Sequence, residues 1–360
     1  MGIVKLRISV GSFLLILLVL LQGCGGGAVT SQERFTIGYQ STTAQTWGAL
    51  IIKNKKLLEK HLEELLPGQE VTVEWFDASA GSVLNNNMIG GKIQLSFLGD
   101  MPSLLNGVQG KTRSNYDSVL LALDGKGVSG RNQGIVTPNG SSIHTIEELA
   151  GKTVSTPIGS SAHRMLLDML REHGLIEQVT IVDQSVSVGM QSIEQRKIDV
   201  HATWEPYLSL IDYRGIGQLL QSGETTNVDY LTAVVANRDW AQSNRTYVIA
   251  FLRALYEAHQ FISNHPTEAA EIFAEESKFP LEVCHKLVAS IRFDSAIYNK
   301  DLNTLNGSIA FLSEIGKLQQ KLDLNDFVDD QYLREALHSL DKPYLTDEEL
   351  KGDWIEDKRL

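Results

Sequence analysis

The clearest chemical capacity in the sequence lies at Gly159-Ser160-Ser161, where a strand-like run gives way to a helical one. First-turn N–H groups of a helix have no intrahelical acceptor, and the helix dipole places partial positive charge there. Two serine hydroxyls add further donors, so the segment suits a sulfonate or another oxyanion without a full cationic charge. The same serines would equally serve to cap their own helix, and the sequence leaves both uses open. Other polar residues fall at the ends of strand-like runs: Gln40, Ser79-Ala80-Gly81, Gly99-Asp100 and Trp204-Glu205. In open α/β sheets, ligands collect in the crevice beyond the carboxyl ends of the strands, so these residues are expected to converge. Gln40 offers an amide donor, Trp204 an aromatic wall, and Asp100 or Glu205 a partner for an amine. Trp204 would equally fill a core, and Asp100 would equally cap the helix that starts near Pro102. His163 lies one turn into the helix opened by Ser160, where a surface position is the plain alternative.

Hydrolytic and metal chemistry find no support. No H-E-x-x-H, Cys-x-x-Cys or G-x-S-x-G occurs, and Ser160 with His163 lacks a third member. No catalytic residue, metal ligand or cofactor is assigned. Gly125-Lys126-Gly127-Val128-Ser129-Gly130 satisfies G-x-G-x-x-G, but another strand follows it instead of the helix whose N-terminus would hold pyrophosphate. It is read as a loop approaching a hinge, from which Lys126 or Arg131 could lean over the crevice and add charge.

The elements that must position these residues begin after a distinctive N-terminus. Lys5 and Arg7 precede an almost wholly apolar run over residues 8–21, and Leu21-Gln22-Gly23-Cys24 follows. The run is shorter than the roughly 20 residues of a membrane-spanning helix, so it reads as a removable signal over residues 1–23. The closing tetrapeptide resembles a bacterial lipobox, which implies a lipid on Cys24 and a flexible tether over residues 24–33. An uncleaved anchor with a chance cysteine is the alternative. Cys284, the one other cysteine, has no disulfide partner and reads as a buried helical residue. A net charge of −12 with no basic cluster argues against nucleic acid.

Strand and helix patterns then alternate. Residues 34–40 read as a strand, and Trp47, Leu50, Ile51, Leu57, Leu58, Leu62 and Leu65 share one helical face. Strands follow at 71–76 and 93–98, each leading into a helix, and a further strand covers 119–123. A second series holds a strand at 135–137, a strand, glycine turn and helix start over 151–163, a strand at 180–182 and a strand running into a loop over 198–207, with a helix over 190–197 and a capping box at Thr145 and Glu148. Residues 229–237 are again strand-like, and the chain is nearly all helical from Tyr247. With 360 residues, two globular units are expected, each a parallel sheet covered by helices.

Ile37-Gly38-Tyr39-Gln40, Gly90-Gly91-Lys92-Ile93 with Gly99-Asp100-Met101-Pro102, Gly151-Lys152 with Gly159-Ser160-Ser161-Ala162-His163, and Ile198-Asp199 with Trp204-Glu205-Pro206-Tyr207 occur in order. In these blocks the chain resembles the solute-binding proteins of nitrate, sulfonate and taurine ABC importers, the aliphatic-sulfonate and taurine binders most of all. The resemblance implies an α/β, type II periplasmic-binding-protein fold: two lobes of mostly parallel sheet flanked by helices and joined by a two-strand hinge. Lobe 1 would comprise residues 34–129 and 228–360, with residues 130–227 inserted as lobe 2. It implies no enzyme but a monomeric, lipid-anchored protein on the extracytoplasmic face of a bacterial membrane. Such a protein captures a small anionic solute between its lobes and delivers it to an ABC permease and its ATPase. An alkanesulfonate or taurine-like anion is the expected solute; nitrate, bicarbonate, a pyrimidine or thiamine precursor, or a sensory role without a transporter are the alternatives. The resemblance also places Trp204-Glu205 at the cleft and Tyr230, opening the returning strand, beside it. The candidate ligand residues are therefore Gln40, Ser79, Gly81, Gly99, Asp100, Ser160, Ser161, His163, Trp204, Glu205 and Tyr230.

Overall fold

A computed structural model describes residues 33–352. Cys24, the signal over residues 1–23 and most of the expected tether lie outside the described residues. The strands are β1 (Glu33–Tyr39), β2 (Val71–Asp77), β3 (Leu95–Gly99), β4 (Ser118–Gly127), β5 (Gln133–Pro138), β6 (Thr153–Thr156), β7 (Thr180–Asp183), β8 (Val200–Trp204), β9 (Gly217–Ser222), β10 (Tyr230–Asn237) and β11 (Arg292–Phe293). The helices that matter for the site are α1 (Gly48–Asn54), α2 (Leu57–Leu65), α3 (Gly81–Ile89), α4 (Asp100–Thr112), α5 (Ser161–Glu172), α6 (Val186–Glu194) and α7 (Tyr207–Tyr213). They are followed by α8 (Arg238–Ser243), α9 (Arg245–Asn264), α10 (Pro266–Ser277), α11 (Leu281–Ser290) and α12 (Asn299–Glu314).

These strands form two sheets. One has the spatial order β11-β4-β10-β3-β1-β2 and the other β7-β6-β8-β5-β9. Both are mixed: β1 with β3, and β6 with β7 and β8, run parallel, while β10 with β3 and β4, and β5 with β8 and β9, run antiparallel. The sequence pattern suggests a mostly parallel arrangement. The antiparallel pairs come from β4, β5, β9 and β10, the strands at the two crossings between sheets. A strand that enters or leaves a sheet from its partner sheet need not return by a βαβ crossover.

Each sheet is covered by helices whose apolar stripes meet it. Phe35, Ile37 and Tyr39 of β1 pack with Leu50, Ile51, Phe251 and Phe273 on one face, while Leu98, Met101, Leu104, Leu305 and Phe311 fill the other. In the five-stranded half, Met165, Leu166, Met169 and Leu170 of α5 close over Ile135, Val154 and Val200. That stripe follows the spacing read from the sequence. The crossings touch: a Cβ on Gly130 would lie 2.4 Å from the Gly223 carbonyl oxygen, and Gly130 has φ +96, so a side chain is excluded there on both grounds.

Several local expectations change. The apolar face from Trp47 to Leu65 belongs to two helices, not one, because Lys56 adopts a left-handed φ of 52 between α1 and α2. Gly125-Lys126-Gly127 is strand rather than loop, inside β4. Thr145 and Glu148 make only half a capping box. Glu148 accepts from the Thr145 and His144 N–H groups, but the element it serves is the three-residue turn Glu147–Leu149. The helix expected over 190–197 starts four residues earlier, at Val186. Strands β9 and β11 and helix α7 have no counterpart in the sequence reading. Cys284 is buried in α11, as its composition suggests.

Candidate functional site

Four helices point their N-termini into one cavity of about 280 Å³ between the two halves. From the six-stranded half come α3, whose first turn carries Ala80, Gly81 and Ser82, and α4, which starts after Gly99. From the five-stranded half come α5, after Ser160, and α6, after Ser185. All four follow strands of the central sheets, which is why their positive ends gather beyond the strand termini.

The caps differ in a way that matters for a ligand. Ser160 Oγ accepts from the His163 N–H at 3.2 Å, and Ser185 Oγ accepts from the Val188 N–H at 3.4 Å. The N-cap residues of α3 and α4, Ala80 and Gly99, supply no side-chain acceptor. The Val83 N–H of α3 donates to the Ala80 carbonyl at 3.1 Å and the Met101 N–H of α4 to the Asp100 carboxylate, which leaves the Gly81 and Ser82 N–H groups at the wall to whatever occupies the cavity. Gly81 makes the close approach of these two helix starts feasible, since a Cβ there would fall 2.6 Å from the Pro102 ring. Behind them, Tyr116 Oη donates to Asn106 Oδ1 at 2.7 Å, Asn106 Nδ2 to Asn85 Oδ1 at 3.0 Å, and Asn85 Nδ2 to the Pro102 carbonyl at 2.9 Å. This buried relay ties α3 to α4.

Eight of the eleven candidate residues line the cavity: Gln40, Ser79, Gly81, Gly99, Ser160, Ser161, Trp204 and Tyr230. Trp204 Nε1 donates to the Thr42 carbonyl at 3.2 Å and to Thr43 Oγ1 at 3.1 Å, joining the two halves at the cavity wall. Gln40 Nε2 donates to the same Thr43 hydroxyl at 3.2 Å. Tyr230 is only 3% exposed, and no hydrogen bond of its hydroxyl to another described residue is present. Burial, and then the charge of Asp100, hold its pKa well above 10.0, so it stays a donor at neutral pH. Ser160 is both cap and wall.

Three candidates lie off the cavity. Asp100 is fully buried behind it, where its carboxylate accepts from the Ser161 hydroxyl and from Ser308 Oγ at 3.1 Å. Burial pushes its pKa up, and the Ser161 bond opposes that shift. The Ser161 hydroxyl proton is consequently directed at Asp100, and Ser161 faces the cavity without it. Glu205 turns away from its neighbour Trp204. Its carboxylate accepts from the Ser209 N–H at 3.0 Å and from Ser209 Oγ at 2.8 Å, capping the start of α7. Burial raises its pKa to about 7. His163 is buried, not on the surface: its ring accepts from the Gly159 N–H at 3.3 Å and lies edge-on to Phe311. Burial lowers its pKa.

No lysine or arginine is among the described residues lining the cavity. Lys126 is fully buried elsewhere, donating to Asp301 Oδ2 and the Ala296 carbonyl, both at 2.8 Å. Arg131 is exposed and pairs with Glu224 at 3.0 Å. Residues that the sequence reading missed include Thr43, Asn85, Leu105, Ile158, Asp183 and Ser185. Asp183 and Ser185 follow a strand that had been recognised, so the strand-end rule applied once more would have found them. Apolar wall comes from Pro102, Leu105, Ile158, Val186 and Trp204. The arrangement can hold an anionic head on backbone N–H groups and an organic group beside it.

Known proteins of similar sequence and structure can be set beside this geometry. Over 330 residues the chain is 23% identical to the putative aliphatic sulfonates-binding protein of Bacillus subtilis (strain 168), spanning 90% of this chain and 95% of that protein. The putative aliphatic sulfonates-binding protein of Escherichia coli (strain K12) is 25% identical over 260 residues, 71% of this chain and 75% of the relative. The alkanesulfonate-binding protein SsuA from Xanthomonas axonopodis pv. citri, solved bound to MOPS, superposes with a TM-score of 0.70 at 21% identity, covering 82% of this chain and 98% of that one. This likeness establishes the α/β, two-sheet architecture as that of the periplasmic binding proteins. Residues 125–269 match the family described as NMT1/THI5 like.

Proposed function

We propose that this chain is the extracytoplasmic solute-binding component of an ABC importer, capturing a small organic anion of the alkanesulfonate or taurine type in the cavity between its halves. The observation that carries the reading is the convergence of four helix N-termini, two of them with no side-chain cap from the N-cap residue, on a cavity with no lysine or arginine among its described lining residues. Such a seat favours an anion through many partial charges. The apolar wall favours an organic group over nitrate or bicarbonate, which would leave Leu105, Ile158 and Val186 without contact. In this reading residues 130–227 form an inserted lobe that closes on the ligand, and the closed form is read by a permease driven by an ATPase. The similarity to aliphatic sulfonates-binding proteins, and to the taurine-binding periplasmic protein of Escherichia coli (strain K12), supports the solute class, the compartment and a binding rather than enzymatic role.

The lipid on Cys24 belongs to the same proposal. It would hold the protein beside its permease, and intact mass of membrane-extracted protein should give a lipidated N-terminus at Cys24, lost in Cys24→Ala.

The solute is tested by thermal unfolding with butanesulfonate, taurine, nitrate, bicarbonate and a pyrimidine thiamine precursor. A ligand at about a hundred times its Kd stabilises the folded state by about 2.7 kcal/mol, which a melting curve resolves. Stabilisation by a sulfonate and not by nitrate is expected. A flat response to both sulfonates at millimolar concentration refutes the solute class.

A further inference from the structure

Helix α5 of the five-stranded half meets α12 of the six-stranded half through long side chains. The contacts recur at helical spacing: His163 against Phe311, Arg164 against Thr304 and Ser308, and Arg171 against Glu314. Arg164 is 9% exposed and donates to the Ser308 hydroxyl and to the Thr304 carbonyl at 3.4 Å. Ser308 donates onward to Asp100, which in turn accepts from Ser161 at the cavity wall. A guanidinium and a carboxylate, both buried, are thus bridged through one serine. Such charges are stable in a low-dielectric interior only while their partners are in place.

Arg164 also pairs with Asp168 of its own helix at 3.5 Å, but its other partners lie across the seam between the halves. Asp100 and Ser308 belong to one, Ser161 and Arg164 to the other, so the Arg164–Ser308 and Ser161–Asp100 bonds exist only when the halves are together. Gly307 provides the seat. A Cβ at that position would lie 2.9 Å from the Arg164 guanidinium. Glycine inside a helix is less favourable than alanine by about 1 kcal/mol, so it stands against the local preference of α12.

We infer that Arg164 and Ser308, seated on Gly307, are positioning residues of the ligand site, which through Asp100 fix Ser161 against the cavity only when the halves close. None of the three lines the cavity. Closing and shaping the ligand wall are then one event. The inference rests on the solute-binding reading for its ligand, but the seam itself is made by groups of this chain alone.

Gly307→Ala and Ser308→Ala test it, with butanesulfonate as the probe and two readouts, calorimetric Kd and the radius of gyration of unliganded protein from small-angle scattering. If the seam holds the closed state, each variant reduces the competent fraction, and Kd rises about tenfold while the unliganded radius increases. Gly307→Ala should do so with a melting temperature equal to or above wild type, an effect that general destabilisation would not produce. Wild-type Kd in both variants, or a weaker Kd at unchanged radius, overturns the inference. If wild type itself binds no butanesulfonate, the solute reading fails separately, and scattering decides: larger radii in both variants uphold the seam, equal radii refute it.

Discussion

Glu205 should make the protein less stable as pH rises through neutrality, and Glu205→Gln should remove that dependence. The carboxyl is 9% exposed, and its pKa is raised from 4.5 to about 7 by burial, with the two Ser209 hydrogen bonds opposing the shift. In the unfolded chain the group titrates near its ordinary value. Between those two pKa values the folded state holds a proton that the unfolded state has lost. The stability this confers is complete below the unfolded pKa and is lost as pH rises through about 7. A rise from 4.5 to about 7, at about 1.4 kcal/mol per pH unit, amounts to about 3.5 kcal/mol well above neutrality. Glutamine keeps the shape, accepts from the Ser209 N–H through its oxygen and carries no charge to desolvate. Urea unfolding of both proteins at about pH 5 and about pH 8 isolates the effect from the other buried carboxyls, which are common to both. The two should be nearly equal at the lower pH, with the variant more stable by about 3 kcal/mol at the higher. An unchanged difference between the two pH values, or a variant less stable at the higher one, would refute the reasoning.

Other substitutions probe the cavity and its supports. Tyr230→Phe removes the hydroxyl of a residue that lines the cavity, so on the proposed reading sulfonate Kd should rise about tenfold, the scale of one hydrogen bond to a charged group, with unfolding free energy unchanged. Ser160→Ala deletes the bond to the His163 N–H and should lower stability by about 1 kcal/mol in urea titration; no loss would mean that the cap bond is dispensable. Gly189→Ala places a Cβ 2.1 Å from the His201 ring, which is buried and held 2.8 Å from Ser155 Oγ, and should destabilise by about 2 kcal/mol or more. A variant as stable as wild type would show that β8 can yield to it.

The sequence made the alternation of strands and helices legible because apolar periodicity is local, and it is carried by residues such as Phe35, Ile37 and the α5 stripe. The strand-end rule located most of the cavity wall for the same reason: Gln40, Ser79, Gly99, Ser160 and Trp204 each follow a recognisable strand. What stayed hidden depends on which way a side chain turns after its strand ends. Trp204 and Glu205 are adjacent, yet one faces the cavity and the other folds back onto Ser209, because α7 begins at Tyr207 and supplies N–H groups that the carboxylate can cap. A helix read as a loop leaves that partner invisible. Lys126 escaped for the complementary reason. Its acidic partner Asp301 is far off in sequence, and no local pattern announces a buried ion pair. The two-residue β11 is too short to show a period at all.

The absence of lysine and arginine from the cavity wall has a consequence for how such a site can change over generations. On the proposed reading, much of its affinity for negative charge would be written in the path of the main chain, which every residue type except proline can supply. Wall residues such as Ile158 or Leu105 could then vary toward new organic groups while the main-chain share of anion binding is inherited with the Gly81 that lets the helix starts approach.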